Sequence, residues 1–314
     1  MTKEIIIWDL LFFSSMNFKL AGPIFIIIAA VLWAVDGVAL RPILYSLPVP
    51  LVVLVEHALA FLIMLPFFIR EFKEVRKLKM PDWGAFFWVA IFGGVLGTIF
   101  ITKALFYVNF VNLSIVVLIQ KLQPVFALSF AALILKEKLP KKFWLWAAVA
   151  LIATYFVVFV DFVPNFSTGD KTAFAALLAL GAAFSWGTST VFGKRALKNA
   201  SFSLSTYLRF GLTTLIMFFI AGATKSFSAF SLVTYQQWLI FVLIVFSSGG
   251  LAMFLYYYGL RQVKASVSTI CELAFPLAAI LFEFLLRGRF LTWSQWLGAL
   301  VLFFAIYQVS LVKK

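Results

Sequence analysis

The amino-acid sequence predicts an all-α integral membrane protein of ten transmembrane helices, arranged as two inverted five-helix repeats (5+5) with both termini in the cytoplasm. Three observations carry that expectation. The composition is one that water cannot solvate, apolar runs of bilayer length recur along the chain, and two stretches of sequence match each other at a constant offset.

Of 314 residues, 64% are hydrophobic and 12% charged, where soluble domains hold about 45–50% and about 25%. No soluble core absorbs that much apolar surface. The 39 Phe and 10 Trp suit lipid-facing helices and interfacial belts, where an indole ring lies in the acyl region with its N–H near the headgroups. The net charge of +14 is spread over short segments between apolar runs instead of covering one solvated face. This argues against nucleic-acid binding and makes the charge a record of topology. The single cysteine, Cys271, excludes an internal disulfide and a multi-cysteine metal site, and reads as a small buried helix residue.

A hydrocarbon core of about 30 Å needs about 20 apolar helical residues. Runs of that length are expected at 20–40, 50–69, 84–106, 112–135, 143–162, 172–193, 203–223, 237–260, 265–286 and 292–312. Residues 1–19 form a cytosolic or interfacial lead-in without the small-residue pattern of a cleavage site. The connecting segments carry turn and charge punctuation, as in REFKEVRKLKMPD at 70–82 and KEKLPKK at 136–142. With the N-terminus inside, 18 Lys and Arg fall on the cytoplasmic side and 5 on the other, the asymmetry of the positive-inside rule.

LWAVDGVALR at 32–41 lies 153 residues before SWGTSTVFGK at 185–194, and the same offset lays LVEHALAFLIM at 54–64 over YLRFGLTTLIM at 207–217. An offset of 152 lays Pro124 on Pro276. The repeats are therefore expected at 20–162 and 163–314. A unit of five helices, an odd number, enters the membrane the second time with opposite polarity, the plan of many secondary transporters.

These features resemble the EamA-type members of the drug/metabolite transporter superfamily over nearly the whole chain after about residue 18. The resemblance rests on Trp33 leading to Arg41 and Trp186 leading to Lys194, Arg209-Phe210 in the seventh span, a Pro-led fourth helix ending in KEKL at 136–139, and WSQWLGALVLFFAIYQV at 293–309 with Gly298. Two departures are Glu56-His57, where the family often has Arg-Phe, and Arg289, where a glutamate is common. The resemblance implies a multi-pass cytoplasmic-membrane carrier, often an exporter of amino acids or related metabolites, without an ATP-hydrolysing domain.

Ionisable side chains inside a bilayer mark cavities or pathways by default. Asp36, Glu56, His57, Lys103 and Lys121 fall in the outer half of the first repeat, and Arg209 and Glu272 in the inner half of the second. Asp36, Lys103 and Glu283 lie near helix ends, where snorkelling is an ordinary explanation. Glu56, Lys121, Arg209 and Glu272 are expected to line a cavity. Under the offsets Glu56 falls on Arg209, and Gln120, next to Lys121, falls on Glu272. The expectation is two alternate latches or substrate clamps, Glu56 with Lys121 outside and Arg209 with Glu272 inside, against a reading as two static ion pairs. Trp33 and Trp186 accompany them. Pro124 and Pro276 are expected to kink their helices and free carbonyls. GGVLG at 93–97 and SSGG at 247–250 read as close-packing sites, and Tyr256-Tyr257-Tyr258 as either cavity hydroxyls or an interfacial belt.

No phosphate-binding loop, zinc-protease motif or nucleophile elbow is present, and lone His57 has no metal-ligand partner at helical spacing, so no metal or cofactor is expected. The leading expectation is a secondary transporter exporting a small polar metabolite such as an amino acid or related zwitterion, with proton coupling through Glu56 or Glu272 left open. A carrier of organic anions or phosphorylated metabolites, clamped by Lys121, Arg209 and Lys103, is the alternative. A membrane-embedded lipid-modifying enzyme is remote, and a passive channel suits two related halves poorly. The topology is checked by labelling single-cysteine variants with an impermeant thiol reagent. Lys79→Cys should react only from the cytoplasmic side and Lys171→Cys only from outside; the reverse pattern overturns the orientation.

Overall fold

The computed structural model describes residues 18–107, 116, 119–158, 172–288, 290 and 292–312. The lead-in before Phe18, the 159–171 connection and Arg289 lie outside them. All regular structure among the described residues is helical. The helices are α1 (Phe18–Val35), α2 (Val49–Phe68), α3 (Met80–Trp88), α4 (Gly97–Tyr107), α5 (Gln123–Ile134), α6 (Lys141–Val158), α7 (Thr172–Ala196), α8 (Phe202–Ala223), α9 (Tyr235–Phe246), α10 (Gly250–Gln262), α11 (Ala265–Cys271), α12 (Ala274–Arg287) and α13 (Trp293–Ser310).

Eight helical stretches among the described residues are long and apolar enough to cross a bilayer, starting at Ala21, Val49, Met80, Lys141, Ala173, Phe202, Tyr235 and Ala265. These correspond to eight of the ten expected spans. The fourth, expected at 112–135, is represented by the shorter α5, because most of 108–118 lies outside the described residues. The tenth is α13, 18 residues whose Ser294, Gln295 and Gln308 dilute its apolar character. Helix starts follow side-chain capping. Ser201 Oγ accepts from the Leu204 N–H, and Thr234 with Gln237 and Thr292 with Gln295 form reciprocal capping boxes.

Packing respects the internal repeat. α1 lies on α10 and α12, while α7, its counterpart, lies on α4 and α5. α2 packs on α8 and α6 on α13, so these two pairs map onto themselves. A two-fold relation between repeats produces this exchange of partners.

Five spans are not continuous α-helices, and the irregularities have chemical causes. Pro124 offers no N–H to the Gln120 carbonyl and Pro276 none to that of Glu272. Each chain breaks just before, at Lys121–Leu122 and at Glu272–Leu273, where Leu122 and Leu273 turn back to the carbonyls three residues earlier at 3.0 and 3.1 Å. Both prolines thus interrupt their spans, at repeat-related places. α3 and α4 are joined by a π-helical segment, Val89–Leu96, containing Gly93 and Gly94. The related stretch 247–249 separates α9 from α10, with Gly249 N–H on the Ile244 carbonyl at 2.7 Å and Ala252 N–H on that of Ser247 at 2.8 Å. SSGG is therefore a helix break and not the close-packing site expected. The first span passes through a π turn, Asp36–Leu40, before a short 3-10 turn, Arg41–Leu44. Irregular backbone at membrane depth persists only where protein or a cavity satisfies it.

α1 and α10 approach with no room for a side chain, since a Cβ on Gly259 would lie 2.6 Å from the Gly22 carbonyl oxygen. Gly259→Val must push these helices apart, at a cost of about 1–3 kcal/mol. It should lower the unfolding temperature of the detergent-solubilised protein; an unchanged temperature would contradict this packing.

Candidate functional site

The breaks before α5 and α12 face one another, and Glu272 lies between them. Its Oε2 accepts from Gln123 Nε2 at 2.8 Å, and its Oε1 from the Tyr256 hydroxyl at 2.9 Å and Ser268 Oγ at 3.2 Å. Tyr256 reaches on to Thr190 Oγ1 of α7 at 2.9 Å, and Gln120 Nε2 donates to Gln123 Oε1 at 3.3 Å. One carboxylate therefore ties α5, α7, α10, α11 and α12 together across the two repeats. A charge at the bilayer centre costs about 2.5–3.5 kcal/mol, and hydrogen bonds to a charged group return about 1.5–3 kcal/mol each. Three of them offset the burial of Glu272.

Lys121, at the opposite break, is buried with its Nζ 4.0 Å above the centroid of the Phe275 ring. It stands on the Glu272 side of the bundle, beyond ion-pair distance. Trp33 packs on Tyr256 with centroids 5.3 Å apart, so aromatic surfaces from α1, α10 and α12 border the network. Tyr256 and Tyr257 are buried and Tyr258 stands edge-on to Phe25 at 4.8 Å, which places Tyr256 in the polar interior and not in an interfacial belt.

α7 connects this network to a second one. Its segment Ser185–Thr190 touches a different partner at almost every residue: Trp186 Nε1 donates to the Gly93 carbonyl at 3.2 Å, Thr188 Oγ1 accepts from Trp88 Nε1 at 3.1 Å, and Thr190 reaches Tyr256. A Cβ on Gly187 would lie 2.7 Å from the Gln123 carbonyl oxygen. Arg209 Nη2 donates to the same Gly93 carbonyl at 2.9 Å. GGVLG does pack closely, since a Cβ on Gly94 would collide with Thr213 Oγ1 and one on Gly97 with Trp186 Nε1. Its π-helical form also presents a carbonyl to Arg209.

A third cluster lies toward the other end of α2. Arg41 Nη2 meets Asp36 Oδ2 at 2.6 Å and Glu56 at 3.3 Å, with Arg41 Nε on Asp36 Oδ2 at 3.1 Å. Asp36 and Arg41 are five apart, a spacing that the π turn between them brings onto one side. His57 Nδ1 donates to the Val53 carbonyl at 2.8 Å and its ring lies 5.4 Å from that of Phe210. A small cleft over Arg41, lined by Leu44, Tyr45 and Thr102 among others, shares no residue with the Glu272 network.

The charge pairs thus differ from those expected. Glu56 pairs with Arg41 instead of Lys121, because the π turn Asp36–Leu40 sets Arg41 beside it, and Arg209 bonds a carbonyl instead of Glu272, because the π segment Val89–Leu96 presents that of Gly93. Lys103 is exposed and joins none of the clusters. The repeats are fastened elsewhere, by carboxylates on helix N-termini at the end of the bundle opposite Arg41. Glu137 accepts from the backbone N–H of Ala265 at 2.8 Å and of Ser266 at 3.1 Å, and from the Ser266 hydroxyl. Glu71 takes the Leu204 N–H at 3.0 Å and the Ser201 hydroxyl, and Glu74 the Ser201 N–H at 3.3 Å. In the sequence these acids are charges of basic loops, and the signal that marks them is a Ser at the start of the helix each one caps. Among the described residues no group of three or more His, Cys, Asp or Glu could hold a metal.

Bilayer-length helices, broken in repeat-related places around a buried polar site shared by two repeats, make up a multi-pass transporter of the cell membrane. The chain belongs to the EamA-like transporter family, whose model matches residues 20–159 and 173–311, one match per repeat. It is 44% identical over 296 residues to the riboflavin transporter ImpX of Fusobacterium nucleatum, covering 94% of this chain and 99% of that protein. It is 26% identical over 242 residues to an uncharacterized transporter of Synechocystis, sll1164, covering 74% of this chain and 66% of that protein. A solved crystal structure at 16% identity superposes with a TM-score of 0.70 over 91% of this chain and 95% of that one, which shows a shared fold. The family and these relatives are transporters, not enzymes.

Removing Arg41 strands Asp36 and Glu56 together. Arg41→Gln should destabilise by about 3–5 kcal/mol, read as a lowered denaturation midpoint in detergent. The triple variant Asp36→Asn, Arg41→Gln, Glu56→Gln should recover most of that loss, and a triple variant no more stable than the single one would show that charge is not the cause.

Proposed function

We propose that this protein carries riboflavin, or a close vitamin-like heteroaromatic polyol, across the cell membrane by alternating access between two inverted repeats, 20–162 and 163–314, both termini lying in the cytoplasm. The observation that carries this is the 44% identity to a riboflavin transporter over nearly all of both chains. The chemistry around Glu272 supports it. Riboflavin is a flat tricyclic ring with an imide edge, one N–H between two carbonyls, and a chain of hydroxyls. Glu272 is an acceptor for an imide N–H, Gln123 and Lys121 are donors for its carbonyls, and Trp33, Tyr256 and Phe275 are flat surfaces for the ring. Tyr256 and Thr190 exchange hydrogen bonds with hydroxyls. Of the set expected from sequence, Trp33, Lys121 and Glu272 are kept as proposed substrate contacts and Gln123, Thr190, Tyr256 and Phe275 are added, with Arg41, Asp36 and Glu56 proposed to hold one end of the bundle. The acids Glu71, Glu74 and Glu137 are proposed to hold the two repeats together at the other.

A zwitterion is the second reading, favoured by the placement of a cation, Lys121, and an anion, Glu272, at facing helix breaks. Counterflow in proteoliposomes separates the two. Labelled riboflavin should exchange saturably with internal riboflavin and not with an amino-acid panel. Glu272→Gln and Tyr256→Phe, in protein shown to be folded, should raise the half-saturating concentration by about tenfold or more, the worth of one hydrogen bond to a buried charge. Exchange of amino acids without riboflavin would replace the vitamin reading with the zwitterion one.

A further inference from the structure

Three cations within the spans, buried Lys121 and half-buried Arg41 and Arg209, differ in their surroundings. Arg41 has two carboxylates within 3.3 Å. Lys121 lies over an aromatic ring on the Glu272 side. Arg209 meets no carboxylate within 4 Å among the described residues, and its one hydrogen bond is to the neutral Gly93 carbonyl. Its Nε is sealed from water and has no partner. A single bond to a neutral acceptor leaves the charge of this half-buried guanidinium without a counter-ion, and the rigid fork keeps donors to spare. His57, beside it on α2, is no counter-ion, since an imidazole carries no negative charge and its Nδ1–H bonds the Val53 carbonyl.

The neighbouring side chains include hydroxyls that can donate to an anion. A Cβ placed on Gly93 would collide with Ser189 Oγ and lie 2.9 Å from Arg209 Nη1, so that hydroxyl and the guanidinium crowd the same point of the π segment. Ser185 Oγ, one helical turn from Ser189, is buried without a partner. Ser189 adjoins Thr190, whose hydroxyl belongs to the Glu272 network. The Arg209 side and the Glu272 side are therefore two flanks of one helix, one cationic and donor-rich, the other anionic.

We propose that Arg209, with Ser189 and Ser185, forms an anion subsite adjoining the ring site, and that the carrier accepts flavins bearing an anionic oxygen group, a phosphate monoester or a carboxylate, as well as the neutral vitamin. This rests on the reading above for the ring but not for the anion. Guanidinium and hydroxyl donors suit such oxygens, and Glu272 repels them, so the ring and the anion take opposite flanks of α7. If Arg209 is only a static clamp on the Gly93 carbonyl, its loss affects every ligand alike.

The test compares riboflavin, riboflavin 5′-phosphate and a flavin carrying a carboxylate in place of the phosphate, as competitors of labelled riboflavin counterflow by the full chain in proteoliposomes. In the parent at least one anionic flavin should compete as well as riboflavin does. Arg209→Gln should weaken that competitor about tenfold more than it weakens riboflavin, and Arg209→Lys, which keeps the charge, should restore part of the difference. Equal weakening of all flavins, or no competition by either anionic flavin in the parent, overturns the subsite. Should no flavin exchange at all, thermal stabilisation by inorganic phosphate decides: stabilisation lost in Arg209→Gln and partly kept in Arg209→Lys retains the anion subsite while the flavin reading falls, and no stabilisation removes both.

Discussion

The carboxylate of Glu272 is the point on which the interior of this protein turns, because it is a charge placed where lipid supplies neither water nor counter-ion. Its three hydrogen-bond donors come from three different stretches of chain, Gln123, Tyr256 and Ser268. For Gln123 to reach it, the span containing α5 must break, and for Glu272 itself to face inward, so must the span containing α11 and α12. Pro124 and Pro276 make both breaks inexpensive by removing the hydrogen bond that would otherwise be lost. The small side chains of α7, above all Gly187 against the Gln123 carbonyl, let the breaks come within reach.

The same accounting separates Arg41, Lys121 and Arg209. Arg41 is over-matched, with two acids, which suits a fixed closure within the first repeat. Lys121 rests on an aromatic face near a carboxylate that already accepts from three neutral donors. Arg209 is under-matched, and the hydroxyls around it can donate as well. The open donors of Arg209 and of Ser185 on α7 thus stand beside the network proposed to hold the ring.

Contact between the repeats at the end opposite Arg41 is made by helix N-termini. Glu71, Glu74 and Glu137, all from the first repeat, accept from the first residues of α8 and α11 in the second. A carboxylate at a helix N-terminus gains both the unpaired N–H groups and the helix dipole. Such a contact forms and separates without leaving a charge in hydrocarbon, since both partners lie at the ends of spans. That is a suitable property for a joint that must open if the repeats rock.

The fold class, the repeat and the approximate spans were legible in the sequence, because apolar length and self-similarity are one-dimensional signals that lipid enforces without reference to tertiary contacts. Pro124 and Pro276 were legible as interruptions for the same local reason. The partners were not. The repeat offsets set Glu56 with Lys121 and Arg209 with Glu272, but the π turn at Asp36–Leu40 brings Arg41 to Glu56, the π segment Val89–Leu96 offers Arg209 a carbonyl, and Glu272, at its break, takes Gln123, Tyr256 and Ser268. Glu137 read as one more charge in a basic loop until the fold set it on the N-terminus of α11. By itself the sequence determined that this chain spans a membrane as two related halves with ionisable groups inside. Only the tertiary structure decided which of those groups satisfy one another, because hydrogen bonds depend on tenths of an ångström and on direction, and helix irregularities that shift both leave little trace in hydropathy.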